Sequence, residues 1–294
     1  MSGIDRILFG DNQFFGVNHM SEEKARAQQM RFRDTDSIIR VLDDAYDRGI
    51  RSFMCTTHDE IGKVADHVAA HPKRYEGFRF LPGMPYAHKY ANMLTELGVV
   101  GTLKAVTPGG LVDTVARGAK STFSRDLGEL TRMLVDVEMA RFAQVETPVV
   151  FMQNVVTDLL LGLGAHQFFA EFADHVHRRF GVEAGFFTMN LPALVDALEQ
   201  VGIPNPIVCC NYNKIGFRMS GGIGAYDRVL EERPVRCIAM SVFASGAIAP
   251  AEAIEWVCAR PGIQSIAFGA SSDANIAATI ELIQRFDGAR AAAG

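Results

Sequence analysis

The sequence has no stretch with the length and apolarity that a bilayer crossing requires. Hydrophobic residues make up 48% of the 294 positions, but charged residues interrupt every run before about 18 consecutive uncharged positions. The first residues, MSGIDRILFGDNQFFG, also lack the basic-then-apolar order of a signal peptide. We therefore expect a soluble, cytoplasmic protein without a membrane partner.

Cysteine is scarce, and clusters of basic residues are missing. The five cysteines lie in strand-like or helical segments, at Cys55, Cys209, Cys210, Cys237 and Cys258. An odd number in apolar surroundings favours reduced thiols over disulfides. The net charge is −5, and nucleic acid is not an expected partner because phosphate neutralisation needs clustered Lys and Arg.

Motifs that would assign chemistry directly are also missing. The sequence contains no HExxH or CxxC spacing, and no GxGxxG opens a strand–turn–helix unit. The second absence argues against a Rossmann domain. His175 and His177 are two positions apart and face different sides of a helix, so we predict no metal site.

The chain does contain a short β-like run followed by a longer amphipathic helix, repeated along its length. This alternation predicts parallel strands joined by right-handed helical crossovers. Eight runs suit a (β/α)₈ TIM barrel, an α/β fold, as one domain over residues 1–294. The predicted strands are Arg6–Phe9, Ile50–Cys55, Phe78–Leu81, Val149–Gln153, Ala184–Thr188, Ile207–Asn211, Arg236–Ser241 and Ser265–Gly269.

Two stretches depart from the repeat. The charged segment SEEKARAQQMRFRD after the first strand is predicted as part of a long loop, followed by a helix that begins at Asp34 and ends at Gly49. Between strands three and four, residues from about Tyr90 to Arg125 are too many for a simple crossover. We interpret them as an extended insertion, either a helical excursion or a lid.

In TIM barrels the carboxyl ends of the strands build the site. The densest titratable cluster there is Cys-Thr-Thr-His-Asp-Glu after the second strand. His58 and Asp59 are candidate catalytic residues, because a histidine beside carboxylates can serve as a general acid or base. Alternatively, His58 opens a surface helix with acids on its dipole. Lys214 is a third candidate, as an anion holder, base or Schiff-base amine, or as a lysine that points to water.

Other polar residues at strand ends are candidate binding residues. The candidates for substrate are Asp11, Asn12, His19, Thr56, Gln153, Asn154, Asn190 and Asn211. Ser271 and Ser272 lie in a turn before a helix, where backbone N–H groups and the dipole favour a phosphate, with ordinary helix capping as the alternative. Ser245, after strand seven, is placed with them as a candidate for cofactor or anion binding.

Six segments resemble the aldo-keto reductase family. They are ILFGDNQFFG, VLDDAYDRGIRSFMCTTHDEIG, GFFTMNLPALVDALEQVGI, PIVCCNYN, IAMSVFASGAI and AIEWVCARPGIQSIAFGASSDANI. In order, they resemble the family's first strand, the helix–strand pair after it, strands five, six and seven, and the closing helix and strand. The resemblance covers most of the chain outside roughly 85–140. It implies a TIM-barrel oxidoreductase that reduces carbonyls with NADPH.

The resemblance does not carry over the family's catalytic tetrad of Asp, Tyr, Lys and His. The positions expected for these residues hold, respectively, Cys55, Glu60 or Ile61, one of Pro82–Met84, and Gln153 or Asn154. Among the cofactor contacts, Tyr212 matches the tyrosine that stacks on nicotinamide, while most others are replaced. The resemblance therefore leaves open whether NADP is the cofactor.

We therefore expect an enzyme that acts on a small polar carbonyl or sugar-like metabolite at the barrel mouth. Because the tetrad is missing and His58 is present, a non-redox lyase, isomerase or hydrolase is the first interpretation. Two alternatives are a divergent NADP-dependent aldo/keto reductase and a non-catalytic binding barrel. The expected partner is a small-molecule substrate, and assembly into a homo-oligomer stays open.

Overall fold

The computed structural model describes residues 4–16, 22–85 and 123–293, and its eight parallel strands close into a barrel in the order β1 to β8. The predicted TIM barrel is therefore confirmed, and each predicted strand differs from the observed one by at most three residues at either end. The strands are β1 (Ile7–Gly10), β2 (Ser52–Thr56), β3 (Arg79–Met84), β4 (Val149–Met152), β5 (Glu183–Thr188), β6 (Ile207–Asn211), β7 (Arg236–Met240) and β8 (Ile263–Phe268).

Helices cover the outside of the barrel. In the described ranges they are α1 (Glu22–Arg31), α2 (Thr35–Asp47), α3 (Asp59–Ala70), α4 (Phe123–Met139), α5 (Asn154–Gly162), α6 (Gln167–Phe180), α7 (Leu191–Gln200), α8 (Ile223–Glu232), α9 (Pro250–Cys258) and α10 (Asp273–Ala293). None of these helices is long and apolar enough to span a bilayer.

The segment before α2 corrects one prediction. We expected a loop, but Glu22–Arg31 forms α1. The segment has no apolar periodicity, yet it consists largely of strong helix formers such as Glu, Lys, Ala, Arg and Gln. The start of α2 is as predicted, since the carboxylate of Asp34 accepts a hydrogen bond from the Ser37 N–H at 2.8 Å, and Gly49 follows the helix with a φ of +89°.

The predicted insertion lies between β3 and β4. Most of it, residues 86–122, is outside the described part of the chain. The helix that follows, α4, packs against α6 and leads through a 3-10 turn, Ala140–Phe142, toward β4. The Ala140–Phe142 turn contacts α3, so this connection reaches the helix that follows β2.

Apolar side chains fill the interior of the barrel. Those facing the axis are Leu8, Met54, Leu81, Val149, Phe151, Ile207, Cys209, Ile238 and Ala267, with Phe187 and Met240 packed against them. A Cβ at Gly185 would overlap the Phe151 ring, and one at Gly83 would lie 2.7 Å from Cε2 of Phe187. The two glycines therefore leave the room that the two rings occupy.

Charged side chains close the end of the barrel opposite the mouth. Asp5 precedes β1 and accepts hydrogen bonds from Arg79 at 2.5 Å and from Ser52 at 2.6 Å. Arg236 donates to Glu183 at 2.8 Å on the far side of the barrel. Since these charges are paired, the polar layer at this end is accounted for by structure, and ligand chemistry is sought at the other end.

Gly185→Ala should destabilise the protein, because its methyl group would meet the Phe151 ring inside a closed barrel. We expect a loss of about 1–3 kcal/mol in the free energy of unfolding, measured by urea denaturation. Gly224→Ala in α8 is the control, since nothing lies within 4 Å of its Cβ position. The control should be neutral or gain up to about 1 kcal/mol. Equal stability of the two variants would contradict this packing.

Candidate functional site

Three predicted binding residues continue the inward-facing rows of the strands to the mouth. Side chains alternate along a strand, and Met54, Phe151 and Cys209 face the axis. The positions two residues further on are Thr56, Gln153 and Asn211. The structure therefore brings these three side chains to the rim of one opening.

Asp11 binds Thr56 at the ends of the neighbouring strands β1 and β2. Both the backbone N–H and the hydroxyl of Thr56 lie 2.6 Å from Oδ2 of Asp11. Asp11 is only 5% exposed. Its burial raises the pKa of the carboxyl group, and the two hydrogen bonds from Thr56 lower it in part. Asp11 is thus a buried acid coupled to a residue on the inward-facing row.

The turn between β2 and α3 is held from several sides. The Thr57 hydroxyl donates to the buried carboxylate of Glu138 at 2.5 Å, and Asp59 forms an ion pair with Arg141 at 2.8 Å. Both partners belong to the connection between β3 and β4. These contacts fix the backbone on either side of His58.

Glu60 adds a tie from the next position of the same turn. It pairs with Lys63 at 2.6 Å and accepts a hydrogen bond from Thr35. These two hydrogen bonds, that of Lys63 first, lower the pKa of the Glu60 carboxyl. The acids beside His58 therefore have structural partners of their own.

His58 precedes α3 and stacks on an aromatic ring. Its imidazole lies 4.1 Å from the ring centroid of Phe15, with 12° between the planes. The residue is half-buried, and its side chain makes no capping hydrogen bond to the helix. His58 does open a helix with Asp59 and Glu60 in the first turn, as the structural alternative expects. A half-buried imidazole at a strand end nevertheless retains the capacity to exchange a proton.

The other two predicted catalytic residues lie on the exposed rim. Lys214 pairs with Glu252 at 2.7 Å, and both side chains are about half exposed. The Asp59 side chain is 66% exposed beside Arg141. The structure therefore places neither of them in a buried cluster with His58.

The predicted residue Asn190 caps a helix. Its side chain accepts a hydrogen bond from the Ala193 N–H at 3.3 Å, and its own N–H donates to the Thr188 hydroxyl at 2.8 Å. Asp158 in α5 accepts from Thr188 at 2.6 Å and from the Met189 N–H at 3.1 Å. This network fixes the turn after β5, so Asn190 has a structural role there.

Tyr212 is not at the mouth, which corrects the expectation drawn from the resemblance. Its side chain is fully buried, its ring lies 5.1 Å from that of Trp256, and its hydroxyl donates to Asp227. Burial and that hydrogen bond raise the pKa of the phenol well above its usual value. Because Asn211 faces the axis, its neighbour in the strand faces the helices and cannot stack on a ligand in the mouth.

The loop after β7 has an uncommon backbone. Ser241, Ala244 and Ser245 have positive φ angles of 55°, 46° and 59°, and Gly246 follows at 92°. Phe243 is near the right-handed region, so Phe243 and Ala244 form the right-then-left pair that turns successive N–H groups toward one side. Within the described chain, the N–H groups of Phe243 and Ser245 have no acceptor.

The loop after β8 leads into α10. Ser272 caps this helix, since its hydroxyl accepts from the Asn275 N–H at 3.4 Å and its carbonyl accepts from the Ile276 N–H at 3.0 Å. Ser271 is half-buried beside it. A Cβ at Gly269 would overlap the amide of Gln13, so only glycine lets these loops approach each other. Because β7 and β8 are neighbours, Ser245 and Ser271 lie on adjacent strand ends.

The remaining predicted residues are less defined. Asn12 is exposed in the 3-10 turn after β1, and Asn154 is the half-buried first residue of α5. His19 lies outside the described residues. Over the described ranges no three His, Cys, Asp or Glu side chains group as a metal site, and the five cysteines are buried free thiols.

Sequence reasoning missed three residues that shape the site. Glu138 and Arg141 hold the turn that carries His58, and Asp158 holds the turn after β5. Glu138 is 81 positions from Thr57, and nothing in its local sequence distinguishes it from a helix-surface acid. Only the closure of the barrel brings these partners together.

Asp11 should make stability depend on pH. Its folded-state pKa is raised, so ionisation destabilises the fold. Relative to Asp11→Asn, the wild-type free energy of unfolding should fall as pH rises from about 4, the ordinary aspartate value, and level off above the raised pKa. Thr56→Val removes a bond that lowers this pKa and should extend the fall to higher pH. Parallel urea-denaturation profiles for wild type and Asp11→Asn would contradict the assignment.

No family model and no curated protein matches this sequence. The fold is similar to solved structures of aldo-keto reductases. A Pseudomonas aeruginosa protein described as an aldo-keto reductase has a TM-score of 0.61 at 12% identity, covering 96% of this chain and 91% of that one. Aldose reductase from Giardia lamblia has a TM-score of 0.55 at 12% identity, covering 97% and 88%. Glycerol dehydrogenase from Gluconobacter oxydans has 0.56 at 11%, covering 96% and 88%. At these identities the shared property is the fold, an aldo-keto-reductase-like barrel.

Proposed function

We propose that this protein is a divergent NADP-dependent oxidoreductase that acts on a small polar carbonyl compound at the barrel mouth. The fold similarity supports an enzyme of this general kind. The observation that carries the proposal is the pair of loops after β7 and β8, which offer backbone N–H groups and a helix N-terminus on adjacent strand ends. Such donors suit the phosphates of a dinucleotide.

The described residues fit the phosphate part of NADP. Ser245 lies in the left-handed turn, and Ser271 and Ser272 precede α10. Hydroxyl and backbone N–H donors at these positions would hold phosphate oxygens without a buried positive charge. When bound, NADPH would supply the hydride for carbonyl reduction.

The nicotinamide part has a different environment from the one the resemblance implies. Tyr212 is unavailable, as its ring lies among the helices. Phe187 and Met240 pack at the inner surface of the barrel, on the mouth side of the apolar interior. These two side chains would provide an apolar surface for a flat ring and would keep water from it.

His58 is the residue best placed to hold a proton near the mouth. Its partner Phe15 orients the imidazole without consuming its charge. A non-redox reaction built on His58, Asp59 and Lys214 has less support, because the two charged residues are paired on the exposed rim. The oxidoreductase interpretation needs neither of them.

NADPH titration followed by fluorescence tests the cofactor assignment. Ser245→Asp should weaken binding by at least about tenfold, since it sets a negative charge against a phosphate. Asn205→Asp adds the same charge before β6, at the opposite end of the barrel, and should bind as wild type does. Absence of NADPH binding to the wild type at millimolar concentration, or equal binding by both variants, would sink the proposal.

His58→Ala should lower turnover of a panel of aldehydes and ketones with NADPH by about 10²–10⁴-fold, the range for a lost general acid or base. The melting temperature should stay close to that of the wild type, because the side chain makes no helix-capping bond. His71→Ala, at the other end of α3, serves as the control and should retain full turnover. Unchanged turnover in His58→Ala would remove His58 from the mechanism.

A further inference from the structure

We propose that Asp11 and Thr56 form a hydrogen-bonded pair that selects between carbonyl and hydroxyl groups of the ligand, with Asp11 acting as a positioning residue through Thr56. The proposal rests on the proposed function in one respect, since a reductase site must bind both a carbonyl substrate and its alcohol product. Neither the resemblance nor the tetrad positions involve this pair.

The geometry joins a buried acid to one hydroxyl. Oδ2 of Asp11 lies 2.6 Å from both the N–H and the Oγ of Thr56. No ion pair involves Asp11 in the described part of the chain, and these bonds from Thr56 are its side-chain contacts there. A buried carboxyl without a cation is uncommon, because burying an unpaired charge is unfavourable.

The hydroxyl in turn lies at the mouth. Thr56 is half-buried and continues the inward-facing row of Met54. Its partner in the register on β3 is Gly83, and the Phe187 ring occupies the space that a side chain there would fill. Thr56 therefore presents a polar oxygen beside an apolar ring, an arrangement that can orient one polar group of a small ligand.

The polarity of Thr56 follows from the state of Asp11. A hydroxyl has one proton to donate and two lone pairs to accept with. An ionised Asp11 takes the Thr56 proton, so Thr56 can only accept from a ligand, which favours an alcohol. A protonated Asp11 can donate to Oγ instead, which frees the Thr56 proton for a ligand carbonyl.

The surroundings leave this exchange to Asp11 itself. The Cys55 thiol of β2 is the titratable group recorded against Asp11, and burial raises its pKa well above the usual value, so it stays neutral. Gln13 on the adjoining 3-10 turn is a neutral amide, and β8 contributes Phe268 and Gly269 at this level. Burial likewise raises the pKa of Asp11, which brings its protonated state closer to neutral pH.

The test uses two probes, 4-nitroacetophenone and 1-(4-nitrophenyl)ethanol, and the full chain without cofactor. Dissociation constants are measured by NMR chemical-shift titration between pH 4.5 and 9. In the wild type, the preference for ketone over alcohol should fall with rising pH by about tenfold, the effect of one hydrogen bond. Asp11→Asn and Thr56→Val should show no pH dependence, while Thr56→Ser should retain it.

Two matched controls report on general effects of these changes. Thr279→Val removes a hydroxyl on α10 that donates to the Asn275 carbonyl, and Asp43→Asn removes a carboxylate that accepts from Tyr75. Both should retain the wild-type pH dependence. Folding of each variant is checked by the dispersion of the same NMR spectra.

The pair is rejected if the wild-type preference does not change with pH, if the change survives in Asp11→Asn, or if neither probe binds. Its outcome is separate from that of the proposed function. A protein that fails to bind NADPH but shows the pH-dependent preference would retain the pair and lose the oxidoreductase assignment. NADPH binding with a constant preference would do the reverse.

Discussion

Filling the interior of a closed eight-stranded barrel is the constraint on which the rest of this structure depends. Two phenylalanine rings enter the barrel, Phe151 and Phe187, and each needs the space that Gly185 or Gly83 leaves free. The rings contact each other with their centroids 4.8 Å apart. They block the axis, so any ligand must bind above them, at the strand ends. The depth of the mouth and the apolar character of its floor both follow from this packing.

A second consequence is that the loops at the mouth need outside support. The turn after β2 carries His58, and its neighbours are tied to Glu138 and Arg141 of the connection before β4. Arg141 also lies against Gly62 of α3, where a Cβ would be 3.2 Å from its guanidinium. The long connection between β3 and β4 therefore contributes to the site through its last helix, by holding a turn that belongs to another strand.

The sequence was sufficient to predict the barrel, because strand runs and amphipathic helices alternate regularly enough to be counted. It was not sufficient to tell which face of a strand points inward. In β6 both rows are apolar, with Cys209 before Asn211 and Cys210 before Tyr212, as expected for a strand buried on both sides. Periodicity therefore could not show that Tyr212 faces the helices. The loop predicted for Glu22–Arg31 failed for a related reason, since a helix without an apolar face gives no periodic signal.

The same limit explains why fold similarity alone does not describe the site, and the two aspartate–threonine pairs show it most clearly. Asp158 and Asp11 each accept one bond from a threonine hydroxyl and one from a backbone N–H. Burial raises the pKa of both carboxyl groups. Thr188 belongs to the outward row of β5 and is fully buried, so its pair can only fix a turn. Thr56 belongs to an inward row and remains half-exposed, so the same chemical pair can act on a ligand. The face of the strand, which one residue of register decides, determines whether such a pair is structural or functional.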